Sequence, residues 1–218
     1  HPTGYPLVTI LGYLFSLLPL PMSNIYKMNL LAAIYCSIGV GVFTATARMI
    51  LANWSSFATI KKNAAKKISK KTKKQKEISE PVKIVIEKIP EIKIIIASLA
   101  GGLILAFSKT YWFQSTSVEV YSLHDLLLNL VIFFLIKAYL RVEDSFTPTL
   151  KNYWIVFALM LALAFSNHLT TLLIIPGIAF LFFNKYGFNK DSLKKIGLML
   201  LFFFPLLLLI YSYLPIRA

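Results

Sequence analysis

Acidic residues are scarce in this sequence: nine Asp and Glu stand against 23 Lys and Arg. The excess invites a nucleic-acid reading. Twelve of the basic residues, however, fall between Lys61 and Lys93, and no aromatic side chain is interleaved with them to stack on a base. Nucleic acid is therefore excluded as a partner, and the charge reads as membrane topology and lipid contact. Cysteine is almost absent. Cys36 stands alone in an apolar run, so the sequence offers neither an internal disulfide nor a thiolate metal site, and it reads as a small core residue. Three further motifs are missing: a His-x-x-x-His pair, a nucleophile-elbow Ser and a phosphate-cradling Gly loop, since Gly101 and Gly102 lie inside an apolar stretch. Metal hydrolysis, Ser-His-Asp hydrolysis and P-loop chemistry lose their sequence basis.

Apolar residues are abundant. They make up 57% of the chain, aromatics 14%, and the mean hydropathy is +0.70, outside the range of soluble domains. The chain is an integral membrane protein of the all-α class, a multispan transmembrane helical bundle. Stretches 28–52, 92–107, 120–140 and 196–214 each supply the roughly 20 apolar residues a crossing needs, outright or with their flanks. Residues 153–183 form a longer apolar run, about 46 Å as one helix, which is too long for one crossing. The polar triplet Ser166, Asn167, His168 divides it into a hairpin with arms 153–165 and 169–183.

The positive-inside rule supports the hairpin. With it, 20 basic residues fall on one side and only Lys27, Lys109 and Arg217 on the other; as a single crossing the split weakens to 17 and 6. Six spans with basic loops inside follow. Residues 7–18 reach only about 18 Å as helix and are closed by Pro19 and Pro21, so they are assigned to an outer interfacial helix. Residues 58–93 are assigned to a Lys-rich cytoplasmic loop that is solvated or lies on anionic headgroups. All of 1–218 is read as one transmembrane domain. Because the chain starts at His1 rather than Met and stops at Ala218 just after a span, a fuller protein is expected to continue at both ends.

With the inside assigned, all three histidines gather on the outer side. The candidate substrate-binding residues there are Tyr5, Lys109, Gln114, Tyr121, His124, Asp125, Asn167, His168 and Arg217; the candidate catalytic residues are Glu119 and His1. Ionisable groups at membrane depth are costly and usually face a cavity or a partner. Each has a plainer reading too: Asn167 and His168 as a helix cap, Tyr111, Trp112 and Phe113 as an interfacial belt, and Glu119 as a helix-start carboxylate. Adjacent His124 and Asp125 point to different helix faces, which argues against a shared metal.

The outer segments, in order, are HPTGYPLVTILGYLFSLLP from His1, KMNLLAAIY from Lys27, FSKTYWFQSTSVEVYSL from Phe107, FSNHLTTLLIIPG from Phe165 and YLPIRA from Tyr213. Together they resemble a family of multispan membrane proteins, formerly of unknown function, that includes the transmembrane O-mannosyltransferase acting on plexin-type receptors. The resemblance covers nearly all of the chain except the Lys-rich loop. It implies a GT-C-type glycosyltransferase that takes a sugar, mannose among the candidates, from a polyprenyl phosphate and transfers it with inversion to a protein or other acceptor on the non-cytoplasmic face. No cofactor is implied beyond the lipid-linked donor. The family's acidic catalytic element precedes its His-Pro motif, which here is the first residue pair. Lys109 and His124 depart from the family's usual uncharged residue and asparagine, which bears on sugar or acceptor specificity. The compartment is read as a bacterial inner membrane, with an ER membrane in a eukaryote as the alternative. The competing classes are a transporter or flippase of a lipid-linked substrate and a noncatalytic membrane scaffold. Against the first, the sequence shows no paired inverted halves.

Overall fold

The computed structural model describes residues 5–57, 89–141 and 146–217. Among these every regular element is a helix. In chain order they are α1 (Pro6–Ser16), α2 (Asn24–Ala52), α3 (Glu91–Ala106), α4 (Lys109–Thr116), α5 (Val120–Leu140), α6 (Tyr153–Asn167), a 3-10 segment (Leu169–Ile174), α7 (Ile175–Tyr186), α8 (Lys190–Tyr211) and α9 (Tyr213–Arg217).

The boundaries have local causes. Pro6 opens α1, where its missing N–H costs nothing. Ser23 caps α2 by accepting from the Tyr26 amide, and Asn152 caps α6 by accepting from that of Trp154. Asn189 and Ser192 form a reciprocal capping box at the start of α8. Gly187 ends α7 with φ at 73°, a conformation that side chains resist, and its amide bonds back to the Phe183 carbonyl.

Cations finish two other helices. Lys27 Nζ donates to the carbonyls of Ser16 and Leu18 at 2.8 and 2.7 Å, closing α1 from the first turn of α2. Lys185 Nζ donates to the carbonyls of Ala138, Tyr139 and Arg141 at 2.6, 2.9 and 2.6 Å, closing α5 from the last turn of α7. An ammonium there meets both the orphan carbonyls and the negative end of the helix dipole.

Helix directions follow from which ends meet. Trp154 Nε1, at the start of α6, donates to Tyr186 Oη at the end of α7 over 2.8 Å, so α6 and α7 are antiparallel. Asn167 Nδ2, at the end of α6, donates to the Val120 carbonyl at the start of α5, and Arg141 Nη1 at the far end of α5 donates to the Lys151 carbonyl just before α6. That pair is antiparallel as well. Arg48, late in α2, pairs with Glu91 at the start of α3 at 2.9 Å. One end of the bundle therefore carries Arg48, Arg141, Lys151 and Lys185, and the other carries α1, α4, Glu119 and the α6 to 3-10 junction.

The division of 153–183 at Asn167 and His168 is borne out, since α6 stops at Asn167 and His168 is extended. Four of the six expected spans are matched by helices long and apolar enough to cross. By length and composition four helical stretches can cross a membrane, Asn24–Ala52, Val120–Leu140, Leu169–Tyr186 and Lys190–Ile216; a fifth is counted if α3 and α4, bent by 61° at their junction, are one broken span. At 15 residues α6 is about 22 Å long and falls short of the hydrocarbon thickness by itself. Residues 7–18 correspond to the 11-residue α1, and α3 begins at Glu91, inside the stretch assigned to the Lys-rich loop; residues 58–88 of that loop lie outside the described residues.

The core lies between α5, α6 and α7. Val131, Ala138, Trp154, Ile155, Ala162 and Ala164 are wholly buried, and the Trp154 ring meets Phe157 and Phe182 edge-on. On α2 two close approaches need small residues: a Cβ on Gly39 would run into the Tyr111 hydroxyl, and one on Gly102 of α3 into the Thr44 hydroxyl. Ile96, Leu99, Leu103 and Ile104 of α3 and Leu201, Leu208 and Leu209 of α8 are exposed, as lipid-facing side chains would be. A groove of about 270 Å³ with a wholly apolar lining separates α8 from the α6–α7 hairpin between Phe157, Phe182 and Met199.

Candidate functional site

The α6 to 3-10 junction brings together side chains from four parts of the chain. His168 breaks the hairpin in an extended conformation, which turns its ring away from the α6 axis and toward the start of α5. Its ring centroid is 5.1 Å from that of His124, 5.3 Å from Tyr121 and 5.9 Å from Tyr5, the last pair nearly parallel at 8°. Tyr121 and His124 occupy one face of α5 because they are three residues apart.

Thr170 joins the two imidazoles. Its hydroxyl lies 2.8 Å from His168 Nδ1 and 3.0 Å from His124 Nε2, and its backbone amide donates to the same His168 Nδ1 over 3.2 Å. The amide bond requires a lone pair on His168 Nδ1. The single hydroxyl proton of Thr170 therefore also points to that nitrogen, and His124 donates from Nε2 to the hydroxyl oxygen. This is the one assignment that satisfies every contact: His124 Nε2–H to Thr170 Oγ1, and Thr170 O–H to His168 Nδ1. His168 is then neutral, with its remaining proton on Nε2.

Beneath this chain the polar groups are buried. His124 is 7% exposed and Asn167 1%, and each holds a buried acceptor, His124 Nδ1 and Asn167 Oδ1, with no hydrogen bond among the described residues. Asp125, next along the helix, is turned about 100° from His124. It is half-buried and lies close enough to Cys36 and Tyr111 for its charge to act on both. The Tyr111 hydroxyl donates to the Cys36 carbonyl at 3.0 Å, pinning α4 to α2.

Of the residues singled out from sequence, Tyr5, Tyr121, His124, Asn167 and His168 thus form one connected group. Asp125 lies on another face of α5. Glu119 stands immediately before that helix, exposed, with no side-chain hydrogen bond or ion pair among the described residues. Lys109 opens α4 and is exposed, whereas Gln114 later in α4 has a buried Oε1 with no hydrogen-bond partner among the described residues. Arg217 closes α9, and His1 lies outside the described residues. Thr170, the centre of the network, is the participant that residue type did not disclose; its position two residues after His168 fits a local side-chain to backbone turn, the available signal. Among the described residues no three His, Cys, Asp or Glu side chains come together as a metal would require.

No curated protein and no solved structure matches the chain. A family model does match, over residues 1–192, the region that holds α1 to α7, the Tyr5–His168–Tyr121 ring group and the His124–Thr170–His168 chain. This protein therefore belongs to the family described as the protein O-mannosyl-transferase TMEM260 N-terminal domain.

Proposed function

We propose that the protein is a membrane glycosyltransferase of GT-C type that transfers a sugar, mannose first among the candidates, from a polyprenyl phosphate to a hydroxyl of a protein acceptor on the non-cytoplasmic face. The carrying observation is the segregation of groups between the two ends of the bundle. The aromatic and imidazole cluster shares one end with Glu119 and Lys109, while Arg48, Arg141, Lys151 and Lys185 hold the other. The positive-inside rule puts the basic end in the cytoplasm and the cluster outside. In this reading the bundle makes six passes, and the short α6 brings its end with Asn167 and His168 into a recess.

Inverting transfer is a displacement at the anomeric carbon. The acceptor hydroxyl oxygen forms the new bond, the bond from that carbon to the phosphate oxygen breaks, and its electron pair leaves on the lipid phosphate. The hydroxyl proton passes to a carboxylate. Glu119, exposed and without a side-chain partner among the described residues, is suited to receive that proton or to orient the acceptor. Its share depends on any acidic element lying ahead of His1. Lys109, Arg217 and His1 are the candidates to meet charge on the departing phosphate.

The test is sugar release and acceptor labelling by the full-length protein in vesicles containing polyprenyl-phosphate mannose and an acceptor domain. Wild type should transfer the sugar, and Glu119→Gln should lose on the order of 100-fold or more in kcat, the scale of a positioned proton acceptor. A wild type that transfers from no polyprenyl-phosphate sugar would sink the function. An unimpaired Glu119→Gln would sink the role of Glu119 alone.

A further inference from the structure

Resting on that function, we infer that His168 is the hydrogen-bond donor of a sugar subsite: a neutral imidazole, locked with its proton on Nε2 by Thr170 and walled by Tyr5 and Tyr121, that binds a hydroxyl of the transferred sugar rather than the lipid phosphate. Three observations lead there. The first is the direction of the chain. The Thr170 amide and hydroxyl converge, at 3.2 and 2.8 Å, on the single lone pair of Nδ1, which holds that nitrogen as the acceptor. With Nδ1 accepting from the Thr170 amide, the ring proton lies on Nε2. His168 is left with one outward function, donation.

The second observation is the company it keeps. The ring contacts of His168 are with Tyr5, Tyr121 and His124, and no Lys or Arg touches it among the described residues. A phosphate site calls for fixed positive charge or several converging amides. A pyranose asks for something else: hydroxyl partners at its rim and aromatic faces against its C–H bonds, which carry partial positive charge toward the electron-rich ring. Tyr121 is 43% exposed, so its ring has surface to offer.

The third is what supports the donor from behind. The His124 Nε2 proton goes to Thr170, and His124 Nδ1 is buried with no partner among the described residues, so His124 reaches the sugar through Thr170 and His168. His124 and Thr170 are positioning residues; His168 is the contact. Asn167, bonded to the Val120 carbonyl, ties the junction to the start of α5 and sets the distance between His168 and Tyr121.

The experiment separates sugar from phosphate by using two ligands on the full-length protein: polyprenyl-phosphate mannose and the same polyprenyl phosphate without sugar. His168→Ala and Thr170→Val should weaken binding of the sugar-loaded lipid about tenfold, the scale of one lost hydrogen bond, and leave the bare lipid phosphate unchanged. Thr170→Ser, which keeps the hydroxyl, should restore wild-type affinity. Equal weakening of both ligands would overturn the inference in favour of a phosphate contact, and no weakening of either would overturn it outright while wild-type transfer left the enzyme reading intact. Nitrogen-15 spectra of the histidine-labelled protein give an activity-independent check. His168 should show the tautomer with its proton on Nε2; a proton on Nδ1 would refute the lock. A wild type that binds neither lipid would instead remove the glycosyltransferase reading and this subsite with it.

Discussion

Asn167 and Val120 lie 47 residues apart, yet the Asn167 amide donates to the Val120 carbonyl at 3.2 Å and joins the end of α6 to the first residue of α5. Val120 belongs to the first turn of a helix, where the carbonyl already serves the ladder, so this is a second bond to a carbonyl with two lone pairs. Its effect is to hold the His168 junction against the face that bears Tyr121 and His124. Asn167→Ala should lower stability by about 1–2 kcal/mol, because the lost bond is partly offset by removing the unpaired Oδ1. Asn167→Asp should cost more, on the order of 3 kcal/mol, by aiming an acceptor at an acceptor in a site 1% exposed. Thermal unfolding in detergent would rank the two; an aspartate variant as stable as wild type would show that the amide bond does not hold the junction.

The close approach of α2 and α4 gives a sharper test. Gly39→Ala places a methyl group against the Tyr111 hydroxyl, which is itself bonded to the Cys36 carbonyl. The tyrosine must move and lose that bond, at a cost of about 1–3 kcal/mol. In a Tyr111→Phe background the colliding atom is gone, so the same Gly39→Ala change should cost clearly less. The two substitutions should therefore be non-additive in a double-mutant cycle, and simple additivity would mean that the contact is not what keeps residue 39 small.

Lys185 offers a prediction at the other end of the bundle. Its ammonium satisfies three carbonyls at the α5 terminus, where Lys185→Met keeps the length of the stem and removes the donors. The expected loss is about 1–3 kcal/mol in thermal stability with transfer activity retained at low temperature, since the catalytic candidates lie at the opposite end. Selective loss of activity without loss of stability would argue that this end takes part in the reaction.

These contacts also show what the sequence could and could not disclose. The hairpin break was legible because Ser166, Asn167 and His168 interrupt an otherwise apolar run. Charge bias alone put Tyr5, Tyr121, His124, Asn167 and His168 on one side, but not which of the residues on that side meet. Thr170 was not legible, because a threonine among apolar residues carries no charge signal and its second partner, His124, lies 46 residues away. The bend between α3 and α4 was also hidden. Phe107 and Ser108 are neither Pro nor Gly, yet Ser108 is extended at the junction, and the Tyr111 hydroxyl of α4 is bonded to the Cys36 carbonyl of α2. Lys27 likewise reads as an exception to the charge bias until its ammonium is found closing α1, a role that gives a buried cation a reason to sit at that end.

The remaining prediction concerns which end faces out, and the structure determines how to measure it. Asn167, the natural apex for a label, is unsuitable because it is 1% exposed. Leu169 and Phe188 are better: they are 61% and 80% exposed and lie at opposite ends of the segment formed by the 3-10 turn and α7. The native thiol does not interfere, since Cys36 is 2% exposed. An impermeant maleimide added to intact cells should label Leu169→Cys and spare Phe188→Cys, and lysis should expose the second. The reverse pattern would put Arg48, Arg141 and the Lys185 cap outside, against the positive-inside bias, and would move the proposed transfer to the cytoplasmic face. Labelling of both residues from the same side would mean that α7 and its preceding turn do not cross, leaving a re-entrant hairpin in place of two spans.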